Sequence, residues 1–123
     1  MGKRVLIVDD SATIRQQVRL TLSRAGFDVV EAADGVEGKE RIGSDDQIVV
    51  VICDVNMPRM NGIDMVAAVK SDPAHALLPI VMLTTEAKPE LMQKAKSHGA
   101  KAWIVKPFKP ELLTAAVTKL ASA

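Results

Sequence analysis

Three aspartates close runs of β-branched apolar residues: Asp9 and Asp10 follow RVLIV, and Asp54 follows IVVVIC. Two further runs end in polar groups of other kinds, with Thr84 and Thr85 after IVML and Lys106 after AWIV. A carboxylate at the exposed end of a buried strand can cap a turn, bind a metal, or act as a nucleophile. Taken singly, each residue has a simpler reading. Asp-Asp is a solvated turn and helix cap, Asp54 an Asx-turn, Thr84 a strand residue, and Lys-Pro a surface loop. Turn chemistry accounts much less well for all of them at four strand ends.

Three carboxylates in one crevice carry an electrostatic cost. Two like charges 4 Å apart repel by about 1 kcal/mol in water and roughly 4 kcal/mol at an effective dielectric of 20. Without compensation, one carboxyl has its pKa raised and takes a proton. A hard divalent cation cancels the repulsion, and an all-oxygen set suits Mg²⁺. His75 and His98 fall in loop or helix-end positions and read as solvated surface residues. Cys53, the single cysteine, reads as a buried, inert thiol. An attacking carboxylate, a metal, the Lys106 ammonium and the Thr84 hydroxyl meet the needs of phosphoryl transfer to a carboxylate. In that reaction, positioning and neutralisation of oxygen charge do nearly all the work.

The elements that must position these groups are legible in the apolar pattern. Strands are expected at 4–8, 28–32, 48–53, 80–84 and 102–105. The first, third and fourth are nearly continuous, as in a parallel sheet covered on both faces. Ser11 is a candidate N-cap for a helix that turns Ile14, Val18 and Leu22 inward, leaves Leu20 off the stripe, and stops at Gly26. Asn61 caps a second helix carrying Ile63, Val66 and Val69. Pro89 opens a helix that ends at Gly99, and Pro110 opens the last, with Leu113, Val117 and Leu120 facing inward. DGVEGKERIGSDD is the weakest helical segment, because Gly35, Gly38 and Gly43 each lower propensity. Strand and helix alternate five times, giving an α/β architecture with a parallel sheet and helices on both faces. Its strand ends share one rim, where ligands of open α/β sheets bind.

The 123 residues suit one domain, 1–123, and the net charge of +1 gives no support to nucleic-acid or anionic-membrane binding. The apolar run in MGKRVLIVDD is too short for a signal peptide, and no run approaches the roughly 18 residues of a membrane span. One cysteine excludes an internal disulfide. A cytoplasmic protein without membrane insertion is expected.

The segments LIVDDSATIR, CDVNMPRMNG, MLTTEA and GAKAWIVKPF together resemble the receiver domain of two-component response regulators, over residues 3–121. Within that family the chain is similar to the stand-alone chemotaxis (CheY-like) type, with no effector domain after Ala123. The resemblance implies a doubly wound, flavodoxin/CheY-like five-stranded sheet of order 2-1-3-4-5 with five helices. It implies Asp54 as phosphoacceptor, and Asp10, with Asp9 partly through water, as Mg²⁺ carboxylates. Asn56 would add its backbone carbonyl to that metal. Thr84 looks like the switch hydroxyl, Lys106 the family lysine, and Lys106-Pro107 the family's cis peptide. Gly62 fits the turn into the third helix.

Trp103 stands where the family usually has Tyr or Phe, the aromatic that changes rotamer on phosphorylation. Its bulk favours a smaller or graded movement. Asn56 and Glu86 flank the acceptor and resemble the pair in receivers that lose phosphate quickly. The implied function is a phosphorylation switch in chemotaxis or motility, not an enzyme acting on a separate substrate. A histidine kinase or phosphotransfer protein would act upstream, and a binding partner such as a flagellar motor switch component downstream, at the face of the fourth helix, fifth strand and fifth helix. A phosphate sink or intermediate relay is the alternative. A small-molecule phosphatase or phosphotransferase needs an acid two residues beyond its nucleophile, where this chain has Asn56. A flavodoxin-like cofactor binder needs a Gly- or Ser/Thr-rich cradle where this chain has DDSAT.

Overall fold

In the computed structural model, which describes residues 2–122, β1 (Arg4–Val8), β2 (Asp28–Ala32), β3 (Ile48–Cys53), β4 (Ile80–Thr84) and β5 (Ala102–Val105) form one sheet. All pairs are parallel and the order is β2-β1-β3-β4-β5, as the resemblance implies. The five strands coincide with the five apolar runs.

Side chains alternate across a strand, and here both faces are dry. Val5, Ile7, Val50, Ile52, Val81 and Leu83 face one cluster, completed by Val18 and Leu22 from α1 (Ala12–Arg24) and Leu113 and Val117 from α5 (Pro110–Ala121). Leu6, Val8, Val51, Cys53, Ile80 and Met82 face the other. That cluster takes in Ile42 of α2 (Gly35–Ser44), Ile63, Met65, Val66 and Val69 of α3 (Gly62–Lys70), and Ala95 of α4 (Pro89–Ser97). Two buried faces explain why the runs are continuous rather than alternating.

Helix limits follow the local chemistry. The Ser11 Oγ accepts the Ile14 N–H at 3.3 Å, the Asn61 side chain accepts the Asp64 N–H at 2.9 Å, and Pro89 and Pro110 sit in first turns. Gly26 and Gly99, just beyond α1 and α4, take φ of +93° and +112°. Leu20 is exposed, and Leu120 is half-buried against its cluster.

The glycine-rich segment is helical from Gly35 to Ser44 despite its propensity. A Cβ on Gly35 would lie 2.4 Å from the Met60 carbonyl oxygen, and one on Gly38 2.9 Å from Met65 Sδ and a Val8 methyl. Two of its glycines therefore serve close packing, and tertiary contact overrides propensity there. A short 3₁₀ turn at Pro73–His75 was not anticipated; Asp72 caps it by accepting the Ala74 N–H at 2.9 Å.

The strand order reverses between β1 and β3, since β2 lies outside β1 while β4 and β5 continue beyond β3. That reversal opens a crevice at the C-terminal ends of β1 and β3, where Asp9, Asp10 and Asp54 follow.

Candidate functional site

The backbones of the two buried aspartates continue the sheet ladder, with the Asp9 N–H donating to Ala32 O and the Asp54 N–H to Val8 O, both at 3.0 Å. Their carboxylates are thus carried on rigid strand ends. Oxygens of Asp9, Asp10 and Asp54 lie within 4.8 Å of one another; Asp9 and Asp54 are buried and Asp10 is exposed.

Lys106 spans the pair, its Nζ 2.8 Å from Asp9 Oδ2 and 3.2 Å from Asp54 Oδ2. The Lys106 N–H donates to Thr84 O at 2.9 Å, and the Lys106-Pro107 peptide is cis. Asp9 Oδ1 accepts the Ser11 N–H at 2.9 Å, and Asp54 Oδ1 accepts the Val55 N–H at 2.7 Å. A Cβ on Gly62 would crowd the Asp54 carbonyl oxygen, so the third helix begins directly against the end of β3.

Burial raises the Asp9 carboxyl above the usual aspartate range, outweighing the Lys106 hydrogen bond and the Ser11 N–H. For Lys106, burial acts downward, but the hydrogen bond and charge of Asp9, aided by Asp54, hold the ammonium above its ordinary value. The two shifts differ in kind: Asp9 is the more deeply buried partner and loses more hydration than one shared cation returns. Burial likewise pushes the Cys53 thiol up, and with the Asp54 charge beside it that group is inert.

A divalent cation fits this donor set. Three hard carboxylates converge on an opening where one ammonium leaves negative charge in excess, and among the described residues no sulfur or imidazole ligand joins the cluster. His75 and His98 lie elsewhere, in the 3₁₀ turn and at the end of α4. Both are half-buried rather than fully solvated, with His75 Nε2 3.9 Å from Asp72.

A second group of residues is linked by hydrogen bonds centred on Glu86. Its N–H donates to Thr84 Oγ1 at 3.2 Å, its carbonyl accepts the Trp103 Nε1–H at 2.9 Å, and its carboxylate accepts Asn56 Nδ2 at 3.2 Å. Thr84 is fully buried, Trp103 half-buried. The sequence reading named all four residues but not the backbone of Glu86 as their junction.

It also missed Arg15, Asp34 and Arg59. Arg15 Nη1 donates to Asp9 O at 2.6 Å while its Nε donates to Glu31 at 2.9 Å. Asp34 caps α2 through Glu37 N–H and receives Arg59 Nε at 2.8 Å. A local signal existed for Asp34, the D-x-x-E spacing before the helix. Arg15 meets Asp9 through a backbone carbonyl and Glu31 sixteen residues on, and the partner of Arg59 is 25 residues away, so neither left a local signal.

Residues 5–118 match the family described as response regulator receiver domain. Chemotaxis protein CheY1 of Helicobacter pylori is 46% identical over 111 residues, covering 89% of this chain and 90% of that protein. The chemotaxis protein CheY homolog of Campylobacter jejuni is 41% identical over 89% of this chain and 85% of its own length. The structure of Vibrio cholerae chemotaxis protein CheY4 superposes with a TM-score of 0.90 at 44% identity, over 98% of this chain and 99% of that one. A putative response regulator from Chloroflexus aurantiacus gives 0.93 at 31% identity over the full length of both. With its sheet order, its acidic crevice and these likenesses, the chain belongs to the response regulator receiver domain family and is CheY-like within it.

Proposed function

We propose that this receiver is a phosphorylation switch in chemotaxis signalling, with Asp54 as its phosphoacceptor. The observation that carries the reading is the convergence of the Asp9, Asp10 and Asp54 carboxylates with the Lys106 ammonium at the β1/β3 crevice. The chemotaxis role rests on the CheY relatives. A partner histidine kinase or phosphotransfer protein presents a phosphohistidine. An Asp54 oxygen attacks phosphorus, the P–N bond breaks, and the imidazole leaves with the electron pair. When bound, Mg²⁺ at Asp9, Asp10, Asp54 and the Asn56 carbonyl neutralises phosphoryl-oxygen charge. Lys106 already touches Asp54 Oδ2 and transfers that contact to a phosphoryl oxygen. Accepting the Glu86 N–H leaves the Thr84 hydroxyl proton to be donated to another.

The same contacts supply the output path. As Thr84 turns toward the phosphoryl group, its bond to Glu86 changes, and the Glu86 carbonyl is the acceptor that holds the Trp103 indole. Trp103 therefore responds through a shift of its tether rather than full inward rotation. Its movement alters the face of α4, β5 and α5, where an output protein such as a flagellar switch component binds. Asn56 and Glu86, in contact beside the acceptor, set a short acyl-phosphate lifetime.

Incubation with Mg²⁺ and a small acyl phosphate, followed by intact mass and Trp103 fluorescence, tests this. A gain of one phosphoryl group that is absent in Asp54→Asn is expected. No gain, or the same gain in that variant, overturns the reading. An adduct that persists for hours in Mg²⁺ overturns the short lifetime.

A further inference from the structure

The loop between β3 and α3 contains the one described residue other than glycine with positive φ: Arg59, at +63°. Around it the Met60 N–H donates to Pro58 O at 2.7 Å, the i→i+2 bond of the rare, strained γ-turn. Nothing in RMNG requires that conformation locally, so neighbouring structure must hold it.

What holds it is the first turn of α2. The Arg59 guanidinium is bidentate on Asp34, Nε to Oδ2 at 2.8 Å and Nη2 to Oδ1 at 3.2 Å. An exposed arginine ordinarily gains little from an ion pair. Here its partner carboxylate is 10% exposed and fixed, because Oδ1 also caps Glu37 N–H at 2.9 Å. One residue on, the Gly35 N–H, an otherwise unpaired donor at the positive end of α2, donates to Met60 O at 3.1 Å. A side chain at Gly35 would collide with that carbonyl. The tip of the loop is thus bolted to α2 by side chain and backbone together.

The loop's root is fixed as well, with Gly62 N–H donating to Val55 O at 2.8 Å. Asn56 lies on the short arc between the Val55 anchor and the Arg59 turn. Its position follows from both.

We propose that the Asp34–Arg59 ion pair is a positioning element of the phosphoryl site: by holding the β3–α3 loop in its strained turn, it presents Asn56 to the divalent cation and sets the affinity for that ion. This rests on the proposed function, since it assumes that the acidic crevice binds Mg²⁺. The first turn of α2, remote from the reacting carboxylate, then belongs to the site's support. Outer contacts that orient metal ligands carry about tenfold or more in affinity.

The test uses Mg²⁺ alone as probe, by isothermal titration of the full chain, with urea unfolding in parallel. Asp34→Asn keeps a helix-capping oxygen but loses the ion pair. Arg59→Gln loses the guanidinium while leaving the positive φ as strained as before. Each is expected to weaken Mg²⁺ binding about tenfold with the protein folded. The double variant is expected to be no weaker than the weaker single, as two halves of one device should be. Phosphorylation by a small acyl phosphate should need correspondingly more Mg²⁺ yet reach a near-native rate at saturation. Wild-type affinity in both single variants overturns the inference, as do losses that multiply in the double variant, or losses seen only where urea shows partial unfolding. A wild-type chain that binds no Mg²⁺ overturns the proposed function along with it, which separates the two failures.

Discussion

At the C-terminal ends of the strands, Asp9, Asp34, Asp54 and Thr84 are buried polar residues, whereas at the N-terminal ends Arg4, Asp28 and Asp45 pair in contact with solvent. The pairs at the lower rim satisfy their charges locally: Arg4 Nε reaches Asp28 at 3.1 Å and its Nη1 reaches Asp45 at 2.8 Å. At the upper rim two buried carboxylates share one ammonium and a third stands beside them. One rim closes the fold, and the other keeps charge in excess for a ligand to complete. The difference teaches that stability and function are assigned to opposite ends of the same strands.

Backbone crowding gives the largest way to break this comparison. Gly62→Ala crowds a methyl against the Asp54 carbonyl oxygen, where no side-chain rotation can relieve it, so the end of β3 must move. A loss of at least about 3 kcal/mol in urea unfolding is expected, with loss of phosphorylation. Gly26 at the lower rim has open space around its Cβ position and only the strain of φ +93° to bear. Gly26→Ala should cost about 1–2 kcal/mol and leave phosphorylation intact.

Lys106→Met is the next largest. It strips the shared cation from Asp9 and Asp54, leaving buried carboxylates unpaired. A loss of about 2–3 kcal/mol is expected without divalent ions, below the full cost of breaking a buried pair because Asp9 can take a proton. Added Mg²⁺ should restore part of it, by denaturant midpoint. Recovery identical in wild type and variant would contradict the account of the upper rim as a site short of positive charge.

These contrasts also explain what was legible in the sequence. The strands and four helices could be read because both faces of the sheet are dry and because Ser11, Asn61, Pro89 and Pro110 act locally. The crevice carboxylates and Lys106 were legible because they stand within two residues of a strand end. α2 was legible only as the weakest helical segment, since Gly35 and Gly38 owe their presence to Met60, Met65 and Val8, partners that no local window contains. Arg59 was hidden for the same reason, its partner Asp34 being 25 residues away. The Glu86 junction escaped because two of its three bonds are made by backbone atoms, which a residue's type does not announce.

The rims should also answer pH in opposite directions. Burial raises Asp9, so between its unfolded value near 3.9 and its folded value the native state holds the extra proton. Its contribution to stability is complete below about pH 3.9 and is lost as pH rises through the raised value. The Arg4 hydrogen bond lowers Asp45, whose contribution is present above about pH 3.9 and is lost as pH falls through the depressed value. Without divalent ions, Asp9→Asn should flatten the upper side of the stability profile and Asp45→Asn the acid side. Thermal unfolding across pH, read as a difference from wild type, checks both signs.

Asp28→Asn should produce the smallest change, and its smallness sharpens the comparison. The Asp28 side chain is 53% exposed and its Arg4 partner 35%, so water and salt screen the pair and both long-range attraction and desolvation are weak. Arg4 also keeps its second partner, Asp45, at 2.8 Å. Removing one of two exposed carboxylates therefore leaves the guanidinium satisfied. Calorimetry should place the variant's Tm close to wild type at low salt and closer still at high salt. The same charge change at Asp9, where neither screening nor a second cation is available, should shift stability without divalent ions by a clearly larger amount and in the stabilising direction at neutral pH. Equal responses at Asp28 and Asp9 would mean that burial at the upper rim does not store unbalanced charge, and the assignment of function to that end would lose its physical basis.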